Sequence, residues 1–167
     1  MENNITVNME NLSEEERDQL MKIIKKSNGC KRKVWKPEYS ELYFYVSGYG
    51  IVGNKTWKND YMDNGYYGIG NCFKTKEEAE FALEKTKVEA ELCRFAEENN
   101  ECEFDWENDD QLKWYIRYSY YNRSVCFFYV YGYKRNDIYF TSEKIAAQAV
   151  ARIGEERLKK YYFGVED

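Results

Sequence analysis

An internal repeat is the feature of this sequence that most constrains its fold. Residues 73–83 and residues 140–150 share the pattern Phe-x-(Thr/Ser)-x-x-x-Ala-x-x-Ala-(Leu/Val). Each copy follows a stretch rich in tyrosine, phenylalanine and tryptophan. Self-similarity of this kind indicates a duplicated supersecondary unit. The sequence therefore predicts two copies of a unit in which short strands precede one helix.

Residue patterns place the elements of these units. Alternating apolar residues predict strands, and Ser or Thr followed three positions later by Glu predicts the start of a helix. The predicted strands span 5–9, 42–46, 51–57, 66–73, 114–118, 125–131 and 138–140. The predicted helices span 13–28, 75–99 and 142–162. Residues 58–65 are predicted to form a polar loop. The predicted fold class is α+β, with two antiparallel βββα units preceded by a short strand and a helix.

The same patterns divide the chain into three segments. Residues 1–36 hold the first strand, the first helix and a basic connector. Residues 37–110 form the first βββα unit with an acidic linker, and residues 111–167 form the second unit. A chain of 167 residues is long enough for one domain, or for two half-domains that share a core.

Composition argues against several classes of activity. The chain has no histidine, which removes Ser-His-Asp and Cys-His catalysis and imidazole metal ligands. The net charge of −5 disfavours general binding to nucleic-acid backbones. Its five cysteines include no C-x-x-C pair, so reduced thiols in a cytosol are expected. No apolar run has the length of a membrane span, and neither an enzyme activity nor a metal or cofactor is predicted.

Tyrosines dominate the predicted strands. If Leu42, Phe44 and Val46 face the helix of their unit, Tyr43 and Tyr45 face away from it. In the second unit the same alternation puts four side chains opposite to Ile116, Phe128 and Val130: Tyr115, Phe127, Tyr129 and Tyr131. One interpretation is that packing between the units or a homodimer covers these faces. The other is an exposed platform for bases, a nucleotide or a protein partner.

Charge is spread unevenly along the chain. Residues 97–110 contain eight acidic side chains and no basic one. This segment is either a solvated linker or a surface that imitates nucleic-acid phosphates. A basic cluster precedes the first unit and is either a solvated connector or a phosphate-binding patch: Lys25, Lys26, Lys31, Arg32, Lys33 and Lys36. The candidate partner-binding residues are Asp105, Trp106, Glu107, Asp109 and Asp110 for charge, with Tyr43, Tyr45, Tyr129 and Tyr131 for packing.

Two motifs carry a resemblance to a known group of proteins. Residues 70–80 read GNCFKTKEEAE and residues 153–164 read IGEERLKKYYFG. Both motifs resemble those of small, mostly uncharacterised proteins from phages and prophages of Gram-positive bacteria, over most of the chain beyond Trp35. The resemblance implies an accessory protein of a virus or mobile element. Such proteins often counter host defence, and the resemblance implies no catalytic residues.

These observations lead to one expected function and two alternatives. The expected function is inhibition of a host immune effector, such as a CRISPR nuclease, in the bacterial cytosol. The acidic, aromatic surface would occupy the basic nucleic-acid-binding groove of that effector. One alternative is a module that binds and sequesters a signalling nucleotide between tyrosine rings. The other is an accessory protein that binds single-stranded nucleic acid.

Overall fold

A computed structural model describes residues 12–27 and 34–165. The chain divides into two units, Met1–Trp35 and Lys36–Asp167. In the first unit, helix α1 spans Glu14–Ser27. Its predicted capping box is confirmed, since Glu16 Oε2 accepts hydrogen bonds from the N–H (2.9 Å) and the hydroxyl (2.8 Å) of Ser13. The predicted strand 5–9 and, apart from Lys36, the side chains of the basic cluster lie outside the described residues.

Helices and two small antiparallel sheets make up the second unit, which is an α+β arrangement. The predicted segments 37–110 and 111–167 both lie almost wholly within it. Its elements, in chain order, are β1 (Leu42–Val46), β2 (Val52–Thr56), α2 (Tyr61–Gly68), α3 (Lys76–Asn99), β3 (Lys113–Ser119), β4 (Ser124–Val130), α4 (Glu143–Ile153), α5 (Glu155–Arg157) and a π-helical turn (Leu158–Tyr162). None of the helices over residues 12–27 and 34–165 has both the length and the apolar character that a membrane span requires.

The predicted βββα arrangement is not confirmed, because each sheet has two strands. Where a third strand was predicted, a single residue pairs with the sheet. Phe73 forms an isolated antiparallel bridge with Phe44, and Phe140 forms one with Trp114. The residues that cap helices α3 and α4, Thr75 and Ser142, follow two residues later. The repeat therefore has a real structural counterpart, in which a hairpin, a bridging phenylalanine and a capped helix follow one another.

Helix α2 occupies half of the stretch where a polar loop and a third strand were predicted. Asp60 caps it, and Asp60 and Asp63 form a capping box in which each side chain accepts the other's backbone N–H. The helix covers one face of the β1–β2 hairpin, because Tyr43 bonds to Asp63 and Tyr45 stacks on Tyr66 at 4.6 Å. Helix α3 contacts the same hairpin. Tyr43 and Tyr45 are therefore covered by the chain's own α2.

The ring of Tyr45 lies across Gly53, its cross-strand neighbour. A methyl group at Gly53 would lie 2.8 Å from Tyr45 Cζ. Gly53→Ala is therefore expected to lower the free energy of unfolding by about 1–2 kcal/mol, because the ring must move off Tyr66. Gly65→Ala is the matched control: Gly65 lies inside α2 with no neighbour within 4 Å, so alanine should stabilise the fold by about 0.5–1 kcal/mol. Urea denaturation measures both; changes of the same sign would contradict this packing.

The register of the second hairpin differs from the predicted one. Ile116 pairs with Phe127, and Trp114 pairs with Tyr129. Because residues directly opposite each other in an antiparallel pair share a face, Phe127 and Tyr129 lie on the same face as Ile116. The prediction that they lie on the opposite face was wrong. A four-residue connection between Ser119 and Ser124 sets this register, and the period-2 pattern of each strand does not report it.

The hydrophobic core lies between α3, α4 and the β3–β4 hairpin. Its buried residues are Val88, Leu92, Ala96, Ile116, Phe140, Ile145, Ala146, Ala149, Ile153 and Leu158. Helix α4 ends earlier than predicted, at Ile153, because the next residue, Gly154, has a φ of 95°, which a helical residue does not adopt. The chain then turns through α5, and Leu158 re-enters the core. A helix from the first repeat thus completes the core of the second.

Candidate functional site

The segment between α3 and β3, residues 100–112, carries most of the predicted site residues and is called the acidic loop below. Its first residues are tied to the chain that precedes α4. The Asn100 side chain donates to the carbonyl of Tyr139 at 3.0 Å and accepts the N–H of Thr141 at 2.9 Å. The N–H of Glu101 donates to the Thr141 hydroxyl at 3.2 Å. The loop therefore leaves α3 in a fixed direction.

Trp106 anchors the middle of the acidic loop. Its ring packs edge-on against Tyr139 at 5.0 Å. Two ammonium groups lie near the same ring, Lys113 Nζ at 5.5 Å and Lys134 Nζ at 5.7 Å. Lys113 is fully buried and donates to the carbonyl of Asn108 at 2.8 Å. Cation–π attraction is strongest where water is excluded, so this arrangement holds the loop against the outer face of β3.

Side-chain hydrogen bonds fix the backbone of the loop. Gln111 accepts the N–H of Asp105 at 2.7 Å and donates to the carbonyl of Glu103 at 2.9 Å. Two turns follow, in which Asp105 Oδ1 accepts the N–H of Glu107 and Asn108 Oδ1 accepts the N–H of Asp110. Bonds of this type impose turns on short segments. Of the four acidic side chains predicted to carry charge, only that of Asp105 is used to hold the loop's backbone.

The four predicted carboxylates project from this anchored loop. Asp105, Glu107, Asp109 and Asp110 are all exposed. Among the described residues, no salt bridge involves any of them. Four unneutralised charges within six positions create a strong local negative potential. The structure therefore displays these carboxylates where a cationic surface can reach them.

Tyr129 and Tyr131 lie at the end of the second hairpin where the acidic loop enters β3. Both are about half exposed, at 46% and 47%, and their rings meet edge-on at 5.6 Å. The next residue, Gly132, touches the loop, since a methyl group there would lie 3.2 Å from Asp109 Oδ1. The structure thus places two of the four predicted tyrosines at the same end of the hairpin as the predicted carboxylates, although Tyr129 lies on the Ile116 face of the sheet and the loop packs on the other face. The four carboxylates and these two tyrosines are called the acidic-aromatic surface below.

Tyr43 and Tyr45 do not belong to this surface. Tyr43 is fully buried, and its hydroxyl donates to Asp63 Oδ1 at 2.9 Å. Tyr45 is half-buried against Tyr66. Rings at 4.6 Å leave no gap for a base between them. Direct partner contact by Tyr43 is therefore incompatible with its position, and the contacts of this pair that the structure shows are made within the chain.

Asp63 is the centre of a buried polar network. Besides the hydrogen bond from Tyr43, its carboxylate pairs with Lys55 Nζ at 2.8 Å. It also accepts hydrogen bonds from the backbone N–H groups of Lys58 (2.7 Å) and Asp60 (3.2 Å). Burial opposes its ionisation, but hydrogen bonds led by Lys55 outweigh burial and hold the pKa of the Asp63 carboxyl well below its usual range. Burial, followed by the bond to Asp63, raises the pKa of the Tyr43 phenol above its usual value. Every donor here is already satisfied, so the network supports the fold.

Two of the free thiols lie in surroundings that keep them protonated. Burial raises the pKa of the Cys72 thiol to about 11, and burial also raises the pKa of Cys93. A thiol with so high a pKa is protonated near neutral pH and is a poor nucleophile. In residues 12–27 and 34–165 there is no group of three or more Cys, Asp or Glu side chains that could hold a metal ion.

Sequence reasoning missed the residues that position the acidic loop. Lys113, Lys134 and Gln111 contact it from positions that carry no motif, although an isolated lysine at the start of an apolar strand was a usable signal. Comparisons with protein-family models, curated proteins and solved structures each give no match to this chain. The role of each residue therefore rests on the geometry of the chain itself.

Proposed function

We propose that this chain is a non-catalytic binding protein whose acidic-aromatic surface docks onto a basic, nucleic-acid-binding surface of a partner protein. The observation that carries the proposal is the display of four exposed carboxylates on an anchored loop, at the end of the hairpin that also carries two half-exposed tyrosines. Because the loop is already ordered, docking costs little conformational entropy. Carboxylates in a fixed arrangement can pair with lysine and arginine side chains that otherwise hold phosphates.

The proposed partner is a host immune effector, such as a CRISPR nuclease, and the proposed place of action is the bacterial cytosol. This part rests on the resemblance to phage and prophage proteins and on the charge of the surface. An effector that holds a guide or target strand offers a basic groove of the required kind. Occupying that groove would inhibit the effector sterically and electrostatically.

Reversal of the four charges tests the proposal. Changing Asp105, Glu107, Asp109 and Asp110 together to lysine is expected to weaken partner binding by at least about tenfold, because each favourable charge pair becomes a repulsive one. The wild-type protein and the variant would be used to capture proteins from a bacterial lysate that carries several defence systems. A captured effector should lose its nucleic-acid binding when the wild-type protein is added.

A second variant controls for net charge. It carries lysine at four exposed glutamates outside the acidic loop: Glu38, Glu80, Glu89 and Glu98. This control should capture and inhibit the same effector about as well as the wild type, and the wild-type complex should weaken as salt rises. If the loop variant retained capture and inhibition, or if both variants lost them equally, the proposed function would be wrong.

A further inference from the structure

The backbone of β4 has an open edge. Trp114 exchanges both of its backbone hydrogen bonds with Phe140, at 2.9 and 2.7 Å, so its N–H and C=O point away from β4. Backbone groups alternate in direction along an antiparallel strand. Because Trp114 lies opposite Tyr129, the N–H and C=O groups of Val125, Phe127 and Tyr129 point away from β3. They form the outer edge of the sheet.

One end of this edge is blocked. Glu155 Oε1 accepts the N–H of Val125 at 3.1 Å. Within residues 12–27 and 34–165, no group accepts a hydrogen bond from the outward N–H of Phe127 or Tyr129. The strand carries no charged side chain, and an uncharged edge strand readily pairs with another extended chain. The open part of the edge therefore spans Phe127 to Tyr129.

The open edge runs towards the acidic loop. Tyr131 and Gly132 continue β4, and Asp109 lies against Gly132. A segment that is paired with β4 would reach the exposed carboxylates within a few residues. The half-exposed rings of Tyr129 and Tyr131 would flank it.

We propose that an extended segment of the partner protein, bearing lysine or arginine, adds to the edge of β4 at Phe127 and Tyr129. This inference rests on the proposed function and names how the partner binds. Main-chain hydrogen bonds to Phe127 and Tyr129 provide affinity, as in other cases of strand addition. The carboxylates of the acidic loop select a segment with positive charge.

The Tyr129→Pro variant separates the contribution of the backbone N–H from the contribution of the tyrosine ring. Tyr129→Pro removes the outward N–H without removing a bond to β3, because that N–H faces away from the ladder. Tyr129→Thr is the matched control, since it loses the same ring and keeps the N–H on a β-branched residue. The probe is a fluorescein-labelled peptide of alternating valine and lysine, together with its valine–glutamate counterpart, and binding is measured by fluorescence anisotropy.

The expected results separate the two variants. The lysine peptide should bind the wild type and, more weakly, the threonine variant, which lacks the ring. Tyr129→Pro should bind it at least about tenfold more weakly than Tyr129→Thr does. The glutamate peptide should bind the wild type at least about tenfold more weakly than the lysine peptide. In the wild-type complex, amide exchange at Phe127 and Tyr129 should slow; this measurement decides the matter even if the proline variant fails to fold.

Three results would overturn strand addition: no binding of the lysine peptide, equal binding by both variants, or unchanged amide exchange at Phe127 and Tyr129. A different result would contradict the proposed function: reversing the four charges of the acidic loop would leave partner capture and inhibition unchanged. If that reversal abolished partner capture while Tyr129→Pro retained it, the acidic-aromatic surface would stand as the docking site. Strand addition would then be rejected alone.

Discussion

Asp63→Ala is expected to lower the free energy of unfolding by about 3–5 kcal/mol, because it removes one partner from a buried charged network. The side chain of Asp63 is fully buried and accepts four hydrogen bonds, from Tyr43, Lys55, Lys58 and Asp60. Without it, the Tyr43 hydroxyl and two backbone N–H groups lose their acceptor in the interior. Each buried donor left in this state costs about 1–3 kcal/mol.

Equilibrium urea denaturation checks this expectation, with two further variants as controls. Asp63→Asn keeps the volume of the side chain but turns an amide NH2 towards one pair of donors. It should therefore lower the free energy of unfolding substantially, but by less than Asp63→Ala does. Asp110→Ala removes an exposed carboxylate that makes no side-chain bond to the described residues, and its effect should stay within about 0.5 kcal/mol. A loss at Asp63 no larger than that at Asp110 would show that α2 is held by other contacts.

The contribution of Asp63 to the free energy of unfolding is expected to fall as the pH is lowered. Its pKa in the folded state is held below its usual range, while the unfolded value is about 4. A carboxyl with a lowered folded pKa contributes stability that is fully present above the unfolded pKa and is lost as pH falls towards the folded one. The difference between the wild type and Asp63→Asn should therefore be greatest near neutral pH and shrink below about pH 4.

Local signals predicted the elements that local chemistry determines. The side chain of Thr75 accepts the N–H of Glu78, so the start of α3 could be predicted from these four residues. The β1 strand and the α+β class follow from alternation and from the order of the elements in the same way. Ser142 similarly marks the start of α4. These features need no knowledge of what the element packs against.

Tertiary contacts decide the features that the sequence did not predict. Helix α2 contains Gly65 and Gly68, which disfavour a helix, and the burial of Asp63 against Tyr43 overrides that preference. Its capping pair, Asp60 and Asp63, is a local signal that could have been recognised. The register of β4 on β3 had no such signal, because the two strands have the same period of 2 whichever faces they share.

The charge of the candidate site could be predicted from the sequence, but the contacts that anchor the acidic loop could not. The acidic residues of the loop stand out by composition, and the structure exposes the four that were proposed. Trp106 was expected to contact a partner, but its side chain is partly buried because Lys113 and Tyr139 pack against it. Those contacts join residues that no short motif connects. Order in the acidic loop is thus a property of the second hairpin.

The two bridging phenylalanines of the repeat are expected to differ strongly in their contribution to stability. Phe140 is fully buried in the core, whereas Phe73 is half-buried. Phe140→Ala should lower the free energy of unfolding by about 3–5 kcal/mol, through lost burial and the cavity left behind. Phe73→Ala should cost about 1–2 kcal/mol, since less apolar area is removed from contact. Urea denaturation of the two variants gives the comparison directly.

The physical reason for this difference is that the two repeats share one core. Val88 and Leu92 of α3 pack in the same cluster as Phe140, Ile145 and the rest of the second repeat. The hairpin of the first repeat lies outside this cluster, between α3 and α2 with its buried carboxylate. The half-buried ring of Phe73 therefore has less apolar contact to lose. Equal losses for the two variants would mean that each repeat stabilises itself. A larger loss at Phe140 would mean that the first repeat lends its helix to the second, and that the hairpin next to the acidic loop is the more firmly held of the two.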